Sequence, residues 1–174
     1  MKKSDITQFP HYFDYYINLN EDLELSTAFC QSLQQLYDLD MQKLNNIGLK
    51  VYAQGKWTLN KIIQHITDWE RIWCYRTILA VRNEGTIPSG LDYIVMVENS
   101  NADQVPLELL ISELRSVRLG RKALYETFND EILASNCRFD DNEMSVLAMG
   151  FNIIGHQIHH FHIIEERYFP LSRE

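Results

Sequence analysis

Apolar residues recur at three- and four-residue intervals along four long stretches of the chain, the spacing that places side chains on one face of an α-helix. The stretches cover approximately residues 22–46, 58–85, 105–129 and 143–169. Thr58 and Gly85 bracket the second stretch as an N-cap and a C-terminal glycine. Pro170 cannot continue the fourth helix and marks its end. The pattern predicts an all-α protein with four amphipathic helices.

The connection between the second and third helices is unusually long for a helical protein. Residues 84–104 form a segment of about twenty residues with only weak periodicity. A connection of this length indicates a long linker packed over one end of the helices, since loops in bundles are usually much shorter. Four amphipathic helices with one long connection predict a four-helix bundle. Alternating strand patterns and two-residue turns are scarce, so we predict no sheet.

Composition and charge narrow the class of protein. At 174 residues the chain can bury one core by itself, so we expect a single domain over residues 1–174. The net charge of −8 and the scattered positions of the 16 Lys and Arg argue against nucleic-acid binding. The sequence shows neither a membrane span nor a signal peptide. Three widely separated cysteines fit reduced thiols, and we predict a cytoplasmic protein.

Histidines are concentrated near the end of the chain. Four of the six lie in the segment GHQIHHFH, which runs from Gly155 to His162. On a helical wheel His160 falls inside the apolar arc of the fourth helix, and His156 falls at its edge. His159 and the terminal histidine of the segment fall on the opposite side. We therefore predict that two histidines face inward, one turn apart, and that the other two face solvent.

A third histidine, His65, lies on the second helix within the apolar stripe that includes Ile62 and Ile66. One histidine on such a stripe is more often a hydrogen-bonded core residue than a metal ligand, and a pair one turn apart also arises by chance. Three buried imidazoles each need a partner, however, and one shared cation would satisfy all of them. We predict a divalent metal bound by His65, His156 and His160. Imidazole suits zinc, nickel, copper and iron, so the residues leave the metal open.

Several other polar residues near this predicted site are open to interpretation. Asp68 lies one turn after His65 and could orient its ring, although a solvated carboxylate explains it equally well. Gln157 falls near the centre of the inner face, where it could bond a ligand, a buried carbonyl or a dimer partner. Glu70 is interpreted as a surface charge or a salt-bridge partner. Linker residues that could close over the site are Asp92, Tyr93 and Asn101.

These motifs resemble the DinB superfamily, the DinB-like and YfiT-like metal-binding bundles. GKWTLNKIIQHITDWERI is similar to the family's G-K-W-S/T segment and to a helix whose histidine stands in an H-x-x-D-x-E-R setting. LDYIVMVENSNA resembles the variable linker, and SVLAMGFNIIGHQIHHFHIIEERY resembles the closing helix with G-H-x-x-H-H and E-R-Y. The resemblance places the family's metal triad on His65, His156 and His160. It also implies up-down-down-up topology, a homodimer and no DNA binding.

The resemblance implies several activities. Some relatives are transferases that use a low-molecular-weight thiol, and others are hydrolase-like. A metal could hold a thiolate that attacks a small electrophilic substrate, or it could lower the pKa of bound water to about 7. We expect zinc or nickel and place the thiol transferase first. A metal-dependent hydrolase and a non-catalytic, metal-binding or stress-related bundle stay open as alternatives.

Overall fold

The computed structural model describes residues 1–83, 90–139 and 142–173. Helices dominate these residues, and one small antiparallel sheet accompanies them. The α-helices are α1 (Phe13–Asn18), α2 (Leu25–Tyr37), α3 (Met41–Ile47), α4 (Leu59–Val81), α5 (Tyr93–Glu98), α6 (Leu107–Tyr125), α7 (Asp130–Ala134) and α8 (Val146–Ile163). The strands are β1 (Asn136–Phe139) and β2 (Asn142–Ser145).

The four predicted helices are present, with shorter bounds. The first is divided into α2 and α3 because Asp40 caps a new helix, its side chain accepting a hydrogen bond of 3.0 Å from the backbone N–H of Lys43. The second is α4, which Thr58 caps as predicted. Its predicted end at Gly85 lies outside the described residues. The third is α6, and the fourth is α8 followed by a π-helical turn, Ile164–Tyr168.

The prediction that the chain forms no sheet was wrong. β1 and β2 pair as an antiparallel hairpin in which Cys137 lies opposite Met144. Because each strand has only four residues, neither presents enough alternating positions to be recognised from the sequence. The hairpin also occupies the predicted start of the fourth helix. Ser145, the last residue of β2, is the N-cap of α8.

Helices α4 and α6 run parallel to each other. Glu70 contacts Arg118, and further along both helices Thr77 contacts Tyr125. A chain that leaves one end of α4 must therefore return to the other end before α6 begins. This return explains the long linker, in which α5 and the 3-10 turn Ala102–Gln104 lie.

Helix α8 runs parallel to α2 and antiparallel to α4. Gln157 bonds to Ser32 in the middle of α2, and Gly150 faces Leu25 at its start. Against α4 the residue numbers run in opposite directions: His156 contacts His65, and the earlier residue Met149 contacts the later residue Thr77. The four helices thus form an up-down-down-up bundle, the topology that the family resemblance implied.

The core contains two apolar clusters separated by a polar layer. One cluster surrounds Trp73 and Phe151, and the other surrounds Ile62 and Phe161. Between them, each main helix contributes buried polar side chains. The layer contains Ser32, His65, Glu70, Arg118, Arg121, His156, Gln157 and His160. Among the described residues, none of the helices combines the length and the hydrophobicity that a membrane crossing requires.

Candidate metal centre

Three imidazole rings meet in the polar layer. The Nε2 atom of His156 lies 3.1 Å from Nε2 of His65 and 3.2 Å from Nε2 of His160. One nitrogen from each ring lies within 4.8 Å of the others, and all three residues are buried. The predicted inward orientation is confirmed. Their role as metal ligands stays a prediction, and the geometry can be compared with that role.

The nitrogen separations fit a shared cation. Tetrahedral zinc binds imidazole nitrogen at about 2.0–2.1 Å, which separates two ligand nitrogens by about 3.3 Å. Hydrogen bonds between the rings can satisfy only one of the two contacts of His156, because its Nε2 atom has either one proton to donate or one lone pair to accept with. One cation would bind all three Nε2 atoms at once.

Burial keeps these rings neutral. Desolvation, followed by the charge of neighbouring His159, lowers the pKa of His65 to about 4. Burial, followed by the charges of the other histidines, holds the pKa of His156 and the pKa of His160 well below the ordinary value. A neutral imidazole has the free lone pair that metal binding requires. At neutral pH the cluster is therefore in the protonation state of a ligand set.

A short helix that the sequence analysis did not predict covers one side of the triad. The ring of Tyr16 on α1 lies 5.4 Å from the ring of His156. The backbone of α1 approaches α8 so closely that a Cβ atom on Gly155 would lie 1.8 Å from the carbonyl oxygen of Tyr16. Asn20 joins the two helices by donating a hydrogen bond of 2.9 Å to the carbonyl of Phe151. The glycine of GHQIHHFH therefore permits this contact.

Three aromatic rings surround His65 on the other side. The centroids of Trp57, Trp69 and Tyr93 lie 5.0, 5.9 and 5.8 Å from its ring centroid. Tyr93 begins α5, so the linker does close over the site through this residue. Asp92 instead caps α5, accepting hydrogen bonds from two backbone N–H groups. Asn101, the third linker candidate, is exposed before the 3-10 turn and does not line the site.

The triad opens into a cavity of about 210 Å³. Its described lining is aromatic and imidazole, and includes no carboxylate, lysine, arginine or cysteine side chain. The lining residues are Tyr12, Tyr16, Trp57, His65, Trp69, Tyr93, His156, His159 and His160. His159, predicted to face solvent, is half-buried on this wall with Nδ1 3.0 Å from the hydroxyl of Tyr15. His162 is exposed, as predicted.

The structure distinguishes between the interpretations of two polar residues. Asp68 accepts a hydrogen bond of 2.8 Å from Gln64, and no hydrogen bond joins it to His65 in the described part of the chain. It is therefore not the group that orients this histidine. Gln157 is fully buried and donates a hydrogen bond of 2.9 Å to the carbonyl of Ser32. It satisfies a buried carbonyl, the second of its predicted alternatives.

Glu70 forms buried ion pairs rather than a surface charge. Its carboxylate accepts hydrogen bonds of 3.0 and 3.1 Å from Arg118, and Nε of Arg121 lies 3.0 Å away. All three side chains are fully buried. Arg118 also donates a hydrogen bond of 2.6 Å to the hydroxyl of Ser32. The sequence signal for this network is the position of both arginines on the apolar face of α6, between Leu114 and Tyr125.

The fold and the buried triad together define the class: a four-helix bundle with a three-histidine cluster that fits a divalent metal. A model of the DinB superfamily matches residues 31–164 of the chain. The protein therefore belongs to the DinB superfamily.

The structure is similar to that of YfiT from Bacillus subtilis, described as a probable metal-dependent hydrolase with an unusual four-helix bundle topology. The TM-score is 0.66 and the sequence identity is 17%, over 96% of this chain and 89% of that chain. At this identity the similarity establishes the shared fold. No curated protein matches the chain significantly.

Proposed function

We propose that the protein binds one zinc or nickel ion through His65, His156 and His160 and transfers a low-molecular-weight thiol to a small electrophilic substrate. The observation that carries this proposal is the convergence of three neutral imidazole nitrogens at the wall of an aromatic cavity. When bound, a metal with three histidine ligands supplies an open coordination position and stabilises a thiolate or hydroxide at neutral pH.

We place a thiol first as the nucleophile, because the family resemblance implies transferases that use a low-molecular-weight thiol. A thiol has one S–H proton to lose, and this proton can leave to solvent, after which the sulfur is ready to attack. The sulfur then forms a C–S bond while the leaving group departs with the electron pair of the bond that breaks. The described lining contains no carboxylate, and an imidazole outside the triad, that of His159, could accept a proton from either a thiol or water.

The residues of the chain have separate roles in this proposal. The three histidines hold the metal, and Trp57 and Trp69 shield it from bulk water. Tyr16 covers the triad from α1, where the contact at Gly155 fixes its position.

Hydrolysis is the second candidate, and one observation favours it. The protein shares its fold with YfiT, which is described as a probable metal-dependent hydrolase. In that case water replaces the thiol as nucleophile and no added thiol is needed for turnover. A thiol-dependence measurement therefore separates the two activities.

The first test of the site is the metal content of the protein purified without a histidine tag, measured by elemental mass spectrometry. We expect about one zinc or nickel per chain, since three imidazoles and one open position form a single site. His160→Ala should abolish binding, because it removes a buried ligand. The matched control His162→Ala lies on the same helix and is exposed, so its metal content should equal that of wild type. Equal losses in both variants would contradict the site.

The second test measures turnover. The metal-loaded protein is incubated with glutathione or cysteine and 1-chloro-2,4-dinitrobenzene, and formation of the thioether is followed by absorbance. We expect turnover that requires both the thiol and the metal and is absent in His160→Ala. Thiol-independent cleavage of a nitrophenyl ester by wild type would instead favour the hydrolase. A metal-loaded protein that catalyses neither reaction would favour the third alternative, a non-catalytic metal-binding bundle.

A further inference from the structure

We propose that the substrate of this site presents an uncharged aromatic body, about one six-membered ring in size, to the wall formed by Trp57, Trp69 and Tyr93. This inference rests on the proposed metal site and adds the chemical class of its substrate. The metal would hold the polar head of the ligand, and the wall would bind its body.

The arrangement of the wall suits a planar ring. The rings of Trp57 and Tyr93 lie 6.3 Å apart at 83°, and those of Trp69 and Tyr93 lie 6.4 Å apart at 70°. Rings set nearly at right angles present both faces and edges to the space between them. Aromatic ligands bind such surfaces in offset-stacked or edge-to-face geometry, which an aliphatic body of the same size cannot reproduce.

The opposite side of the cavity has the same character. Tyr12 and Tyr16 line it from α1, so that aromatic rings from four separate segments enclose the space beside the triad. An anionic body would find no Lys or Arg side chain among the described lining residues, and its desolvation would remain uncompensated. A cationic body could contact the aromatic faces, but the divalent ion beside it would repel it. Charge is therefore favourable only as a negative charge at the end of the ligand that meets the metal.

The size of the cavity matches a ligand body of roughly one ring. An apolar cavity of about 150 Å³ holds benzene. The cavity of about 210 Å³ leaves space for one such ring and a small polar head. Tyr12 and Tyr93 are 58% and 42% exposed, which places them at the mouth, whereas the triad is buried behind them. A ligand that enters between the two tyrosines thus places its polar head at the histidines and its ring against the wall.

The test uses three hydroxamates that share one metal-binding head and differ in their bodies: benzohydroxamate, cyclohexanecarbohydroxamate and acetohydroxamate. Their dissociation constants for the Zn²⁺-loaded protein are measured by titration calorimetry. We expect benzohydroxamate to bind about 10-fold more tightly than acetohydroxamate and about 3-fold more tightly than the cyclohexane compound. Metal content is measured on the same samples.

Variants locate the effect on the wall. Tyr93→Leu and Trp57→Leu should reduce the preference for the phenyl over the cyclohexyl body to about 1-fold in samples whose Zn²⁺ content equals that of wild type. The control is Tyr75→Leu, which removes a 54% exposed tyrosine of α4 that does not line the cavity. It should bind all three hydroxamates as wild type does.

The outcomes separate this inference from the proposed function. Metal-loaded protein that binds all three hydroxamates equally, or prefers the cyclohexyl body, would overturn the aromatic substrate class and leave the metal site standing. Wall variants that behave as Tyr75→Leu does would also overturn it. Protein that binds neither Zn²⁺ nor Ni²⁺ would overturn the proposed function, and this inference with it.

Discussion

At the scale of single residues, Gly155, which directly precedes His156, has a steric role. A side chain at position 155 would meet the backbone of Tyr16, with the Cβ 1.8 Å from its carbonyl oxygen and 2.5 Å from its carbonyl carbon. Because the obstructing atoms belong to the backbone, a rotamer change cannot relieve the clash. The α1 helix would have to move away from the triad.

We therefore predict that Gly155→Ala lowers the free energy of unfolding by about 1–3 kcal/mol, the usual range for overpacking. The measurement is urea unfolding followed by circular dichroism. Gly120→Ala is the matched control, because Gly120 lies in α6 and a Cβ there meets nothing within 4 Å. That variant should gain about 0.5–1 kcal/mol from helix propensity. Equal effects at the two glycines would contradict the close approach of α1.

The buried histidines also make stability depend on pH. In the unfolded chain His65 titrates near its ordinary value of 6.5, whereas in the folded chain burial lowers its pKa to about 4. Between these values the unfolded chain binds more protons, so the free energy of unfolding decreases as the pH falls through this range.

We predict that metal-free protein loses stability between pH 7 and pH 5 in urea titrations, with His65 contributing up to about 1.4 kcal/mol per pH unit. His65→Leu should reduce this dependence, because it removes the titrating group. His162→Ala, at an exposed position, should retain it. An identical pH dependence in wild type and His65→Leu would show that His65 does not titrate as the structure indicates.

At the scale of helices, ion pairs and hydrogen bonds of the polar layer connect all four main helices. Arg118 of α6 bonds Glu70 of α4 and Ser32 of α2, whose carbonyl in turn accepts a hydrogen bond from Gln157 of α8. Gln157 is next to His156, and Glu70 lies on the helix that holds His65. The network therefore ties together the two helices that carry the triad.

Removing the central charge should be costly. We predict that Glu70→Gln lowers the free energy of unfolding by about 3–5 kcal/mol, since two guanidinium groups would remain buried without a counter-charge. The control is Glu113→Gln, which breaks a partly exposed ion pair of 2.6 Å with Arg71 between the same two helices. Its loss should stay within about 1 kcal/mol. Thermal or urea unfolding measures both, and comparable losses would contradict a special role for the buried pair.

At the scale of the whole molecule, the resemblance to the family leads us to propose a homodimer. Light scattering of the purified protein should then give twice the chain mass of 20.5 kDa. A mass equal to that of one chain at micromolar concentration would reject the dimer. This measurement is independent of the metal site, because the three proposed ligands all come from one chain.

The chain's periodicity was sufficient to predict the main helices and the facing of His156 and His160. This success follows from helix geometry, because residues four apart share a face whatever the rest of the molecule does. The second-helix histidine was placed inward by the same argument. The periodicity could not show whether the histidine-bearing faces of α4 and α8 meet, because that contact depends on how the two helices pack.

Three features of the structure were not predicted, and two of them depend on contacts between distant residues. Helix α1 has six residues, and the tight contact at Gly155 and the hydrogen bond from Asn20 place it against α8. The burial of Glu70 requires Arg118, 48 residues further along the chain. The hairpin of β1 and β2 is too short for a recognisable alternation of apolar and polar residues.

The sequence by itself determined the all-α class, the four amphipathic helices and the identity of the three inward histidines, because these properties depend on local spacing. The tertiary structure decided that the three rings converge, that α1 and the aromatic wall enclose them, and that a buried ion network ties their helices together. The physical reason is that side-chain direction is set within one helical turn, whereas a site needs atoms from distant segments. Only the packing of the whole chain brings those segments together.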